Sequence, residues 1–167
     1  MWFSHWRRPK FVHPISPAPR TAVLLPLFRG VEVFEESEPE RLAVWKPQAI
    51  AATLAQLLRI RADPTHAVIV LTRPGEFLAG TGRDQLWDRF HVPVFEQIID
   101  HDGTLLAYEC EAHYALHVMS GEVTGVIRRE RCLCGKEVDL LFPEMGQCTL
   151  TVTRSESVCP PAPVATT

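Results

Sequence analysis

The chain has 167 residues, 46% of them hydrophobic and 22% charged, with a formal net charge of −3. These values suit one globular domain with a real core. They exclude the overall basic field that binding to nucleic acid or an anionic membrane surface draws on.

The first twenty residues contain Pro9, Pro14, Pro17 and Pro19. They are expected to form an irregular or disordered N-terminal arm over residues 1–20. Its start has aromatic and charged residues but no apolar segment, so it does not read as a secretory signal, and no stretch of the chain approaches a membrane span. The Trp and Arg residues between positions 2 and 8 offer a short aromatic–basic arm to a partner.

Thr21–Phe28 is an apolar run that predicts a short strand, cut or placed at an edge by Pro26. Val31–Phe34 predicts a second strand and Glu35–Glu40 an acidic loop. Pro47–Ile60 predicts the clearest helix, with Pro47 in its first turn and Ile50, Leu54, Leu57 and Leu58 on one face. Ala67–Thr72 is a continuous apolar run, as in a strand buried on both sides. After a turn at Arg73–Glu76, Thr81 is placed to cap a helix ending near Phe90, with Leu86, Trp87 and Phe90 inward. Val92–Phe95 predicts a strand and Asp102-Gly103 a hairpin turn. Short β segments follow at 104–110, 116–119, 122–128, 138–142 and 148–153. The expected fold class is α/β: a small mixed sheet with two main helices, followed by a zinc-stapled β-ribbon. It occupies residues 21–154 as one domain, with a disordered tail over 155–167 that carries Pro160, Pro161 and Pro163.

Five cysteines, an odd number without a secretory signal, argue against a disulfide framework and for a reducing, cytoplasmic setting. Three of them suggest a metal site. Cys132 and Cys134 are separated by one residue and followed by Gly135, so one turn can present both sulfurs. Cys110 and an imidazole, either His117 or His113, complete four ligands of the kind Zn²⁺ prefers. A closed set of four makes the zinc structural. The alternative is a three-ligand catalytic site with a glutamate base, but Glu109 and Glu111, which flank Cys110, are expected to face away from the metal. Cys148 and Cys159 read as small buried hydrophobes.

The order of these motifs resembles the middle of the phenylacetate–CoA ligase family of adenylate-forming enzymes, with its coenzyme F390 synthetase-like members. The resemblance spans roughly residues 74–137. It rests on Gly75-Glu76, the helix Gly82–Phe90, Val92-Pro-Val-Phe-Glu96, Ala107-Tyr-Glu-Cys-Glu-Ala-His113, Leu116-His117 and Cys132-Leu-Cys-Gly135. It implies a structural zinc on Cys110, His117, Cys132 and Cys134, and so prefers His117 over His113. The family's phosphate loop has no counterpart, and its Tyr-Gly-x-(Ser/Thr)-Glu motif is replaced by Gln97–Gly103. The ribose-binding stretch shrinks to a hairpin, and the lid domain with its catalytic lysine has no counterpart in these residues. The resemblance thus implies a pseudoenzyme that keeps the zinc knuckle without the ATP machinery.

His91, His101 and Asp102 offer a second metal or acid–base site, and Glu96 with Asp100 a carboxylate pair. Arg128, Arg129 and Arg131 form a small basic patch, diluted by Glu130 and Glu137. The expected function is a non-catalytic, zinc-stabilised accessory or interaction domain with a protein partner or a second copy of itself. The first alternative is a subunit of an enzyme acting on a carboxylic acid or CoA thioester. The second is a nucleic-acid-binding zinc protein.

Overall fold

The computed structural model describes residues 8–142 and, for the backbone, 149–150. In chain order the elements are β1 (Thr21–Val23), β2 (Glu32–Val33), α1 (Pro39–Trp45), β3 (Ala49–Ala52), α2 (Leu54–Arg59), β4 (Ala67–Thr72), α3 (Gly80–Phe90), β5 (Val94–Ile99), β6 (Leu105–Glu109), β7 (Leu116–Val118), β8 (Val123–Thr124), β9 (Val126–Arg131), β10 (Glu137–Phe142) and β11 (Thr149–Leu150).

Among the described residues, nine strands form one mixed sheet in the order β2-β1-β3-β4-β5-β6-β7-β10-β9, and β11 pairs with β8 apart from it. From β2 to β5 the neighbours run parallel. From β5 to β9 they run antiparallel. The change falls at β5, after which hairpins replace helical crossovers, since only antiparallel neighbours can be joined by a tight turn. The β-rich second half therefore continues the same sheet and is not a separate ribbon on a small one.

The core has two sides. Leu42 of α1, Leu57 of α2, and Leu86 and Phe90 of α3 pack with Ala22, Ile50, Val68 and Val94 on one face. The other face is covered by Phe11, Phe28 and, part-buried, Ile15, over Val23, Ala51, Ile69 and Phe95. β4 is buried at all six positions, as its apolar run predicts, because both faces of the sheet are covered there.

Several expectations need correcting. Pro47–Ile60 is not one helix: Ala49–Ala52 is strand β3, and the helix is only Leu54–Arg59. Alanines suit a helix, but here they lie between β1 and β4 in a sheet covered on both faces, and packing overrides propensity. The break was marked by Thr53-Leu-Ala-Gln56. The Thr53 hydroxyl accepts the Gln56 amide at 3.3 Å, and Gln56 Oε1 accepts the Thr53 amide at 3.1 Å, a capping box. The acidic loop gives way to α1 from Pro39, so the described residues hold three helices rather than two. α3 begins at Gly80, ahead of Thr81, and Trp87 points out, 52% exposed.

Residues 8–20 carry no strand or helix apart from an isolated Lys10–Arg29 bridge, but they are not a loose arm. Phe11 is 2% exposed and meets Phe28 edge-on at 5.2 Å, and Gln97 donates to the Val12 carbonyl at 2.8 Å. Burying that ring contributes about 1.5–3 kcal/mol. The Trp and Arg residues of positions 2–7, Cys148, Cys159 and the tail over 155–167 lie outside the described residues, and of the strand expected at 148–153 only β11 lies within them. Among the described residues no helix is long and apolar enough to cross a membrane.

Candidate metal centre

Two hairpins build the site. Cys110 follows the last residue of β6, and its carbonyl accepts the His113 amide at 3.0 Å, which turns the chain toward β7. His117 sits in the middle of β7, opposite Tyr108 of β6 and Leu140 of β10. Cys132 and Cys134 lie in the loop between β9 and β10. There the Cys132 amide donates to the Lys136 carbonyl, and the Gly135 amide to the Cys132 carbonyl, both at 2.8 Å. Gly135 takes φ +89°, a left-handed conformation in which a side chain would be strained. The loop thereby brings both sulfurs to the same cluster, Cys132 buried and Cys134 exposed, while Leu133 stays 74% exposed.

The structure brings together Cys110, His117, Cys132 and Cys134, with one ligand atom from each and all within 4.8 Å of one another. The Cys110 and Cys132 sulfurs are 3.6 Å apart, and Cys134 Sγ is 3.7 Å from His117 Nε2. Zinc–sulfur bonds of about 2.3 Å in a tetrahedron imply edges of about 3.8 Å, so these two pairs of donors sit close to coordination spacing. The first three residues named are buried and Cys134 is exposed.

The charges around the cluster fit a cation. Burial pushes the Cys110 thiol up to about 12, and the neighbouring Cys132 and Cys134 sulfurs add to the rise. The backbone amide of Lys136 lowers Cys134. Burial lowers His117, and the Lys136 charge does so further, which favours the neutral imidazole that ligates metals. His117 is 1% exposed, and its Nδ1 has no hydrogen-bond partner among the described residues. A buried imidazole with only a long sulfur contact on its other nitrogen is poorly compensated, and a metal on Nε2 supplies what it lacks. Three sulfurs and one imidazole can therefore hold a metal ion.

His113 is not part of this group. It has φ +48°, bonds Glu109 Oε1 through Nδ1 at 2.9 Å and stacks on Phe95 at 4.6 Å. Glu109 points away from the sulfurs: Oε2 accepts from Arg83 and from the Glu96 amide, both at 3.0 Å. Burial works to raise its pKa, but the bonds from His113 and Arg83 outweigh it and hold the carboxyl below the usual range. Glu111 is exposed and accepts the Ser16 amide at 3.3 Å.

The other candidates separate. His91 is the left-handed C-cap of α3, before β5, whereas His101 and Asp102 lie beyond the far end of β5. Six strand residues at about 3.3 Å each keep them about 20 Å apart. His101 and Asp102 touch at 3.3 Å but are 88% and 75% exposed. Asp100 uses Oδ1 to accept the Asp102 and Thr104 amides in its own turn, and so does not pair with Glu96. Glu96 instead neighbours Glu109, a pairing that arises only when β5 meets β6 and that no local motif announces. On β9, Arg129 pairs with Asp139 at 3.4 Å and Arg131 bonds the Gly135 carbonyl at 3.3 Å, so the basic patch is largely spent within the hairpin. No family model matches this chain, and no curated protein matches it.

Proposed function

We propose that this chain is a zinc-stapled, non-catalytic accessory or interaction domain. The observation that carries the reading is the closed donor set: Cys110 and His117 from one hairpin, Cys132 and Cys134 from the other. Thiolate and imidazole are zinc ligands, and four of them leave no position for a reacting water. The role of the ion is then mechanical. It ties the β6–β7 hairpin to the tip of β9–β10, where β9 is the outer strand of the sheet.

We place the chain near the adenylate-forming enzymes, as a relative of the phenylacetate–CoA ligases that has kept the knuckle. The support is motif order, together with Gln97–Gly103 standing where a nucleotide-binding motif would be. A domain of this kind acts through a protein partner or a second copy of itself. Three cysteines held as thiolates suit a reducing compartment, and the cytoplasm is the proposed location.

Assay of the zinc-loaded protein with ATP and phenylacetate tests the non-catalytic reading. It predicts no pyrophosphate release and no thermal stabilisation by ATP; pyrophosphate release or stabilisation would overturn it and favour an enzyme subunit acting on a carboxylic acid or CoA thioester.

A further inference from the structure

The other face of the sheet holds a second feature. Tyr108 pairs with His117 and Glu109 with Leu116, so the alternation of the pleat turns His117 to one face and Leu116 and Glu109 to the other. On that second face a cleft of about 970 Å³ opens between α3 and the β6–β7 hairpin. It is of the size that holds a small organic ligand.

Its floor is charged. Glu96 lies on β5 with 3% of its surface exposed. Its Oε1 accepts from the Leu78 amide at 2.8 Å and the Thr72 hydroxyl at 3.0 Å. Oε2 makes no hydrogen bond among the described residues and keeps some accessible surface, and the residue lines the cleft. An open oxygen on an otherwise buried carboxylate can take a donor from a ligand in the cleft. The neighbouring Glu109 is different: Arg83, His113 and the Glu96 amide occupy both its oxygens, which fixes it as a background charge. Asp84 adds a third carboxylate to the lining. Against three carboxylates stand Arg83 and, when protonated, His113, so the cleft favours cations and repels acids.

Its walls are aromatic and apolar. Trp87 is 52% exposed and Tyr114 44%, and both line the cleft together with Phe77. The outward turn of Trp87 thus places its ring on a cavity wall. Aromatic faces attract ammonium groups, and do so more strongly where water is excluded.

We propose that this cleft binds a small organic ammonium, with the protonated amine on Glu96 Oε2 and the apolar body against Trp87 and Phe77. The amine gives Oε2 a charge-assisted donor and brings a positive charge to the carboxylates, and its arrival favours the ionised form of Glu96. The site does not use the metal, which lies on the opposite face.

The test is titration of the zinc-loaded full chain with phenethylammonium, phenethyl alcohol and phenylacetate, followed by amide chemical shifts in NMR spectra. Phenethylammonium should bind about tenfold or more tighter than either control, as one charge-assisted hydrogen bond implies. Glu96→Gln should remove about that factor, with zinc content and melting temperature showing that the fold is kept. Trp87→Ala, a change at an exposed ring, should weaken binding about threefold. Equal or tighter binding of phenylacetate, no binding of the ammonium at millimolar concentration, or full affinity in Glu96→Gln would overturn the proposal. Because zinc content is read separately, failure here is distinct from failure of the metal assignment.

Discussion

The sulfurs of Cys110 and Cys132 lie 3.6 Å apart, although the residues are 22 positions apart in sequence and belong to different hairpins. Both residues are buried, at 7% and 2% exposure. With Leu140 and Ala115 they form a small cluster of their own at the far end of the sheet. Thiolates on a shared cation would add a tie between two hairpins that otherwise meet through the β7–β10 pairing and through Tyr114, whose hydroxyl donates to Glu130 at 3.1 Å and whose ring meets Phe142 edge-on.

Removal of the metal should loosen this end of the molecule. A chelator that strips zinc is expected to lower Tm by about 10 °C or more, since losing a structural metal belongs among the largest single effects and each kcal/mol moves Tm by about 2–4 °C at this chain length. Thermal melting followed by circular dichroism, with zinc added back, measures it. An unchanged Tm would show that the staple carries no stability.

The two histidines should behave differently. His117→Asn removes a ligand and should weaken zinc binding by more than the tenfold to hundredfold that loss of an outer partner typically costs. His113→Asn removes a bond to Glu109 and should leave zinc stoichiometry intact. Competition titration against a colorimetric chelator separates them.

Zinc binding should release protons, and apparent affinity should rise with pH. Without metal the Cys110 thiol stands at about 12, so its proton must leave when the ion arrives. Acid returns protons to the sulfurs and so weakens the site. Titrations in buffers of different ionisation enthalpy give the proton count; pH-independent affinity would contradict thiolate ligation.

Glu96 sets a pH dependence of the opposite sense. Burial raises its carboxyl above the usual range, outweighing the Leu78 and Thr72 bonds that favour the ionised form. The folded chain then holds this proton more tightly than the unfolded one. Its contribution is fully present below the ordinary carboxylate pKa and is lost as the pH rises through the folded value. Glu96→Gln should therefore raise Tm by a few degrees at neutral pH, about 1 kcal/mol, with the gain shrinking toward about pH 4.

The start of α2 can be tested by its cap. Thr53→Ala removes the hydroxyl that accepts the Gln56 amide and should cost about 1 kcal/mol. Were Pro47–Ile60 one continuous helix, Thr53 would be an interior position and alanine would be neutral or better there.

The cysteine–histidine cluster was legible because its pattern is local: a Cys-x-Cys-Gly turn announces its own geometry, and only the choice between His113 and His117 needed more. β4 was legible for a similar reason, since an unbroken apolar run has few other uses. β3 was not, because Ala-Ile-Ala-Ala is compatible with helix or strand, and its place between β1 and β4 decides. Trp87 follows Leu86 by one residue, and a helix turns about 100° per residue, so the two cannot both face inward. The contact of Glu96 with Glu109 and Arg83 depends on strand pairing and helix docking, which no periodicity encodes. The packing of Phe11 was hidden by a proline-rich context that looked like a tail.

The most direct test of the central claim is metal analysis of the purified protein beside the Cys132→Ser, Cys134→Ser double variant. A structural zinc on the four-residue cluster predicts one zinc per chain in the parent and loss of that zinc in the variant. A parent without bound zinc, or a variant that keeps it, would contradict the assignment.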